Sequence, residues 1–144
     1  MVTINPYLNF AGNTEEAFDF CRSIFGGNYA TLQRFKDTPQ AGGIGPHDGE
    51  KIMHVSLPVG GKNTLMATDS LESMGQKLTV GNNISLLIEV GNKKAADVIF
   101  KGLSAGGKVS TPLADAFWGA YFGMVTDRFG IHWMVNYRYP KQTT

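Results

Sequence analysis

TINPYLNFAGNTEEAFDFCRSIFGG, residues 3–27, reads as a strand, a helix and a stop. Thr3 to Phe10 is short and extended, and Pro6 interrupts it, as suits an edge strand or the start of one. Asn13 is a good helix N-cap, and Glu16 stands three residues later as in a capping box. Ala17, Phe18, Cys21, Ile24 and Phe25 recur at helical spacing as one apolar stripe, and Gly26-Gly27 supplies a left-handed stop. A helix is therefore expected over about Thr14 to Phe25. The acids Glu15, Glu16 and Asp19 fall on its solvated first turns, where they favour the helix dipole.

The continuation completes a unit. Tyr29 to Phe35 reads as a strand, and Lys36 to Glu50, rich in Gly, Pro and Asp, as a long loop. Ile52 to Leu57 and Thr64 to Thr68 flank Val59-Gly60-Gly61-Lys62, a tight hairpin turn. After a polar stretch from Asp69 to Asn82 the order repeats. Ile84 to Val90 is a strand, and a helix follows from about Lys93 to Ala105, with Ala95, Ala96, Ile99 and Leu103 on one face. Gly106-Gly107 is its stop, and Lys108 to Thr111 a further strand. Trp118 to Thr126 and Ile131 to Tyr137 form a last hairpin, turned by Asp127-Arg128-Phe129-Gly130. Ile4, Leu8, Phe10 and Gly26-Gly27 recur as Ile84, Ile88, Val90 and Gly106-Gly107, each 80 positions later. This is read as an internal duplication. The expected fold class is α+β: two β-α-β-β-β modules, about 1–69 and 83–139, forming curved, mostly antiparallel sheets around a cleft with helices outside, in one domain spanning 1–144.

Composition narrows the function. The chain has 144 residues, 42% of them apolar and 17% charged, with a formal charge of +1, which fits a globular protein with its own core. Lys and Arg are scattered and nearly balanced by acids, so no nucleic-acid partner is expected. No apolar run reaches the roughly 20 residues of a membrane span, and the start lacks a secretory pattern, so no membrane association is expected. The single cysteine, Cys21, cannot form an internal disulfide and lies on the apolar stripe. A cytoplasmic location is expected.

Tyr7-Leu8-Asn9-Phe10 with Asn13 and Glu15-Glu16-Ala17-Phe18, the run Met53-His54-Val55-Ser56-Leu57 to Leu65-Met66-Ala67, Phe117-Trp118-Gly119 and Trp133-Met134-Val135-Asn136-Tyr137 together resemble the PhnB-like branch of the vicinal-oxygen-chelate superfamily. That superfamily includes glyoxalase I, bleomycin-resistance proteins and extradiol dioxygenases. The resemblance covers nearly the whole chain and implies a small-molecule cleft and a homodimer, but no single reaction. Some members carry a demethylubiquinone methyltransferase label, which does not transfer here because no glycine-rich nucleotide loop follows a strand.

Metal-dependent members place His, Gln or Glu near the start of each module's first strand and on its last strand. The matching positions here are Asn5, Ser85, Met134 and either Thr64 or Leu65. None is a competent ligand for zinc or non-haem iron. No metal and no other cofactor is therefore expected.

His54 is the best catalytic candidate, since alternation along its strand sets His54 and Ser56 opposite Val55 and Leu57. Ser56 and His54, two apart on one strand, do not present triad geometry. His132 is expected at an exposed turn, and His47 in the long loop, which is a candidate lid or dimer arm. Trp118, Tyr121, Phe122, Trp133 and Tyr137 crowd the last hairpin, and about half are expected in core or subunit contacts. The leading expectation is a metal-free protein binding a small organic molecule in an aromatic cleft near Tyr7, Asn9, His54, Ser56, Ser85, Trp118 and Met134. Two readings stay open beside it: a lyase, isomerase or dioxygenase, either metal-dependent or assisted by His54, and a mainly structural dimer.

Overall fold

Alternating apolar residues build two four-stranded sheets, each covered on one face by a helix. The computed structural model describes residues 1–39 and 43–141, so Gln40, Ala41 and Gly42 of the expected loop lie outside the described residues. The chain divides into two units, Met1–Thr79 and Val80–Thr144.

In the first unit the order is β1 (Tyr7–Phe10), α1 (Thr14–Phe25), β2 (Thr31–Arg34), the helical turn α2 (Pro46–Gly49), β3 (Ile52–Val59) and β4 (Asn63–Asp69). The sheet runs β1-β4-β3-β2, with β1 parallel to β4 and the other pairs antiparallel. Val55 and Leu57 of β3 and Leu65 and Ala67 of β4 are buried, as are Ala17, Phe18 and Cys21 of α1. These are the facing apolar stripes of period two and period 3.6. Phe10 and Phe18 meet edge to face, with ring centroids 6.5 Å apart.

The helix begins and ends where its sequence says, but its N-terminus is not closed by a capping box. No side chain of α1 or of Asn13 caps it. Asp69, at the end of β4, does so instead: its Oδ1 accepts from the backbone N–H groups of Gly12 and Thr14 and from the Thr14 hydroxyl, at 3.0, 3.0 and 2.7 Å. Its Oδ2 accepts from the Ile52 N–H at 2.8 Å. One carboxylate, 2% exposed, thus ties β1, α1, β3 and β4 together and satisfies donors at a helix end that would otherwise be orphaned. Glu15, whose side chain is 45% exposed as the solvated first turn suggests, also has a partner. Arg34 grips it through two nitrogens, at 3.1 and 2.6 Å, and this pairing holds the Glu15 carboxyl below its usual range.

Three further boundaries differ. The strand expected from Tyr29 to Phe35 is confined to Thr31–Arg34, because Phe35 is buried and opens a short 3-10 turn. That turn and α2 give the expected long loop local structure, tied by Lys36–Glu50 and Lys51–Asp48 ion pairs at 2.7 and 2.9 Å. In the stretch after β4, Glu72–Met74 form another 3-10 turn, and Leu71 is buried.

The second unit repeats the plan: β5 (Leu86–Glu89), α3 (Lys93–Ser104), β6 (Lys108–Ala116), β7 (Ala120–Thr126) and β8 (His132–Arg138), with sheet order β5-β8-β7-β6 and β5 parallel to β8. Here the helix has its own cap, Asn92 Oδ1 accepting from the Ala95 N–H at 2.7 Å. β6 is longer than the expected Lys108–Thr111, continuing to Ala116 past Pro112 with two register irregularities. An outer strand tolerates Pro because one edge needs no N–H donors. Trp118 is not the start of a strand but belongs to the connection between β6 and β7. Gly123 is required by packing: a Cβ there would lie 2.8 Å from the Phe100 ring and 3.0 Å from the Leu113 Cα. Phe100 can therefore press α3 directly onto β7. Among the described residues no helix is long and apolar enough to cross a membrane.

Candidate functional site

Each sheet has a second face, away from its helix, and residues paired directly across strands share a face. In the first unit one row of that face runs Tyr7, Met66, Ser56, Thr31, and the next holds Asn9, Thr68, His54 and Gln33. The alternation reading of His54 and Ser56 therefore places them with Tyr7 and Asn9 on one surface. Tyr7 and His54 touch: the rings stack at 5.6 Å between centroids, and the Tyr7 hydroxyl lies 2.9 Å from His54 Nδ1. Burial raises the Tyr7 pKa, which keeps the phenol protonated. Tyr7 donates to Nδ1 in the tautomer that carries its proton on Nε2. Ser56 is only 7% exposed, and His54 Nδ1 bonds to Tyr7.

In the second unit the corresponding rows are Leu87, Met134, Met124, Thr111 and Glu89, Asn136, Phe122, Ala114. Here the surface is concave. A groove of about 600 Å³ is lined by Leu87, Met134, Phe122 and Trp118, with Glu89, Asn136, Arg138, Tyr139 and Lys141 also around it. Trp118, 55% exposed, packs edge to face on Phe122 with centroids 5.5 Å apart, so the two rings form one wall. Arg138 reaches Glu89 at 3.2 Å on the exposed rim. Asp115 accepts a hydrogen bond from the Tyr139 hydroxyl and pushes its pKa up to about 12.

Asn136 sits at the centre of this face. It is 7% exposed, and its Oδ1 is buried with no hydrogen-bond partner. A buried carboxamide oxygen left unsatisfied costs about 1–3 kcal/mol. Sequence reading marked Trp118 and Met134, which the groove contains, but not Asn136 as a ligand contact, nor Phe122 apart from the general aromatic cluster. The alternation 132-134-136-138 was visible. What no pattern reveals is which polar atom packing leaves without a partner.

The remaining candidates disperse. Ser85 is exposed immediately before β5. Trp133 is buried, its indole N–H donating to Asp127 Oδ2 at 2.8 Å. Tyr121 donates to Asp97 and lies under the Lys93 ammonium, on the α3 side. His132 is not at an exposed turn: it is half-buried, its Nδ1 2.9 Å from the Thr126 hydroxyl and its Nε2 3.0 Å from the Gly81 carbonyl. His47 is exposed on α2, beside a second recess of about 460 Å³ whose charged walls include the paired Glu15 and Arg34. Among the described residues no three His, Cys, Asp or Glu side chains converge as a metal site. Asn5, a candidate metal position, uses its Oδ1 to accept from the Thr64 N–H. The sheet register makes Met66, not Thr64 or Leu65, the first unit's counterpart of Met134, and neither these two thioethers nor Asn5 and Ser85 are the imidazole, carboxylate or thiolate donors that hold a divalent zinc or iron.

Two β-α-β-β-β units, each with a helix on one face of a mixed sheet, define a glyoxalase-like α+β protein. A glyoxylase/bleomycin resistance protein/dioxygenase domain from Frankia superposes with a TM-score of 0.67 at 12% identity, over 96% of this chain and 98% of that one. The family model described as 3-demethylubiquinone-9 3-methyltransferase matches residues 2–136, and the chain belongs to that PhnB-like family. Protein PA1353 from Pseudomonas aeruginosa is similar at 38% identity and a TM-score of 0.84, covering 96% of this chain and 98% of its own. A PhnB protein from Bacillus cereus follows at 23% identity and 0.77, covering 94% and 99%.

Proposed function

We propose that this protein binds a small organic molecule on the helix-free face of its second unit, in the groove walled by Trp118, Phe122, Leu87 and Met134, without a metal centre. The observation that carries the reading is the meeting, around one concavity, of an aromatic wall, an apolar floor and a few polar side chains, Glu89, Asn136 and Arg138. That is the general make-up of a ligand pocket: apolar walls supply affinity, and a few polar groups set orientation. The candidate positions Tyr7, Asn9, His54 and Ser56 form a polar counterpart on the first unit's face, and Ser85 adjoins β5. His54, with Tyr7 on its Nδ1, is the group best suited to proton transfer should the ligand be turned over.

A methyltransferase reading has less support in these residues. Neither sheet is a doubly wound parallel one, and the strand-to-helix connections, residues 11–13 and 90–92, carry one glycine each. The test is thermal unfolding of chelator-treated protein against a panel of small aromatic compounds and against Ni²⁺, Zn²⁺, Mn²⁺ and Fe²⁺, since a ligand of the native state raises apparent stability. The expected result is stabilisation by aromatic compounds that is lost in both Trp118→Ala and Phe122→Ala, with no shift from any ion. A shift of several degrees with one ion and none with organic compounds would overturn the proposal.

A further inference from the structure

Resting on that groove reading and narrowing it, we infer that the ligand is an aromatic acid, its ring on the Trp118–Phe122 wall and its carboxylate at the end of the groove that Arg138 and Lys141 flank. Along β8 the alternation of Met134, Asn136 and Arg138 keeps all three on the helix-free face, and Phe122 stands directly across from Asn136. Arg138 is one further step of that alternation, about 7 Å along the strand, a span that one ring with a substituent covers. The Tyr139 N–H donates to the Gly119 carbonyl at 3.1 Å, so the residues after β8 run beside the connection that carries Trp118. Lys141, two residues on, lines the same groove.

Charge decides which substituent fits. Two cations, Arg138 and Lys141, and one carboxylate, Glu89, line the groove, so its lining carries an excess of one positive charge. Asp115 is not part of that lining and is occupied by the Tyr139 hydroxyl. Glu89 takes up one nitrogen of Arg138, at 3.2 Å, between side chains 49% and 76% exposed. A rim pair of this kind is weak, and a guanidinium has donors to spare for a second carboxylate. Lys141 forms no ion pair among the described residues. A carboxylate seated here balances the lining, whereas a neutral group leaves one cation to water and an ammonium group meets repulsion.

The probes are 2-naphthoate, 2-naphthalenemethanol and 2-naphthylmethylamine, which share a ring and differ in charge. They are titrated calorimetrically at neutral pH and low salt into the wild type, the double variant Arg138→Gln with Lys141→Gln, Glu89→Gln and Phe122→Ala. The three charged side chains are exposed, so replacing them leaves the core untouched. The wild type is expected to bind the acid about tenfold more tightly than the alcohol, with the amine weakest. In ~1 M salt, where the screening length falls to about 3 Å, that preference should shrink. The double variant should bring acid and alcohol within about twofold by weakening only the acid. Glu89→Gln, which releases Arg138, should strengthen the acid and leave the alcohol unchanged, and Phe122→Ala should weaken both. Equal binding of acid and alcohol by the wild type, or a preference for the amine, with Phe122→Ala still weakening the probes, would overturn the acid inference and leave the groove reading intact. An acid preference that survives in the double variant would overturn the assignment to Arg138 and Lys141. Binding of none of the three probes would count against both the inference and the groove.

Discussion

Asn9, Thr68 and His54 in the first unit occupy the sheet positions held by Glu89, Asn136 and Phe122 in the second, and Tyr7, Met66 and Ser56 those of Leu87, Met134 and Met124. The backbone plan is the same and the chemistry of the face is not. The first unit's face is polar, with Tyr7 and His54 bonded to each other and the hydroxyls of Ser56 and Thr68 beside them. The second is apolar and grooved, with an aromatic wall and an oxygen that has no partner. A duplicated unit must keep its helix-side core to fold, whereas its other face is free to change. The helix sides accordingly show the same division: a buried apolar sheet face under an amphipathic helix in both units. Even the joints were solved independently, with a distant carboxylate, Asp69, capping α1 and a local Asn92 capping α3.

Breaking the joint of the first unit should have the largest effect. Asp69→Ala leaves three backbone N–H groups and one hydroxyl without their acceptor in the interior, and a loss of about 3 kcal/mol or more is expected from denaturant unfolding. Asn92→Ala, a local cap on an exposed helix end, should cost only about 1 kcal/mol, so the pair of variants measures how differently the two units are tied. Gly123→Ala tests the close approach of α3 to β7: overpacking against Phe100 and the Leu113 backbone should destabilise by about 1–3 kcal/mol. Trp118→Ala, at an exposed connection, should leave unfolding nearly unchanged and weaken aromatic ligands about tenfold by calorimetry. The smallest effect concerns the Arg34–Glu15 pair. Because the Glu15 pKa is lowered in the folded state, its contribution is present near neutrality and lost as pH falls through that lowered value. Glu15→Gln should therefore be less stable than the wild type by under about 1 kcal/mol at neutral pH. The difference should vanish in acid, as paired unfolding curves across pH will show.

The bounds of α1, Thr14 to Phe25, were legible because an apolar stripe and a glycine pair are local signals. The repeat was legible through the first strand and helix, where Leu87 follows Tyr7 by 80 positions, but Met134 follows Met66 by only 68. The connection between helix and hairpin is shorter in the second unit, which breaks a fixed-period match. The real cap of α1 was hidden because Asp69 lies 55 residues from Thr14 and reads as the start of a polar loop. The continuation of β6 to Ala116 is not a local signal, because Pro112 argues against a strand unless that strand is an outer one. For the site, alternation pairs His54 with Ser56 on one face of their strand, and the sheet register brings Tyr7 and Asn9 to the same face. Concavity and an unpaired Asn136 oxygen are products of packing, and no spacing of residue types encodes them.

The central claim is that the second unit's helix-free face is where the ligand sits. Mapping ¹H–¹⁵N chemical shifts during titration with 2-naphthoate tests it directly. The account predicts that the perturbed signals centre on Leu87, Glu89, Phe122, Met134, the Asn136 side-chain amide and the Trp118 indole N–H, while the buried Trp133 indole stays in place. Perturbations centred on Tyr7 and His54 with the Trp118 and Asn136 signals unmoved would contradict it.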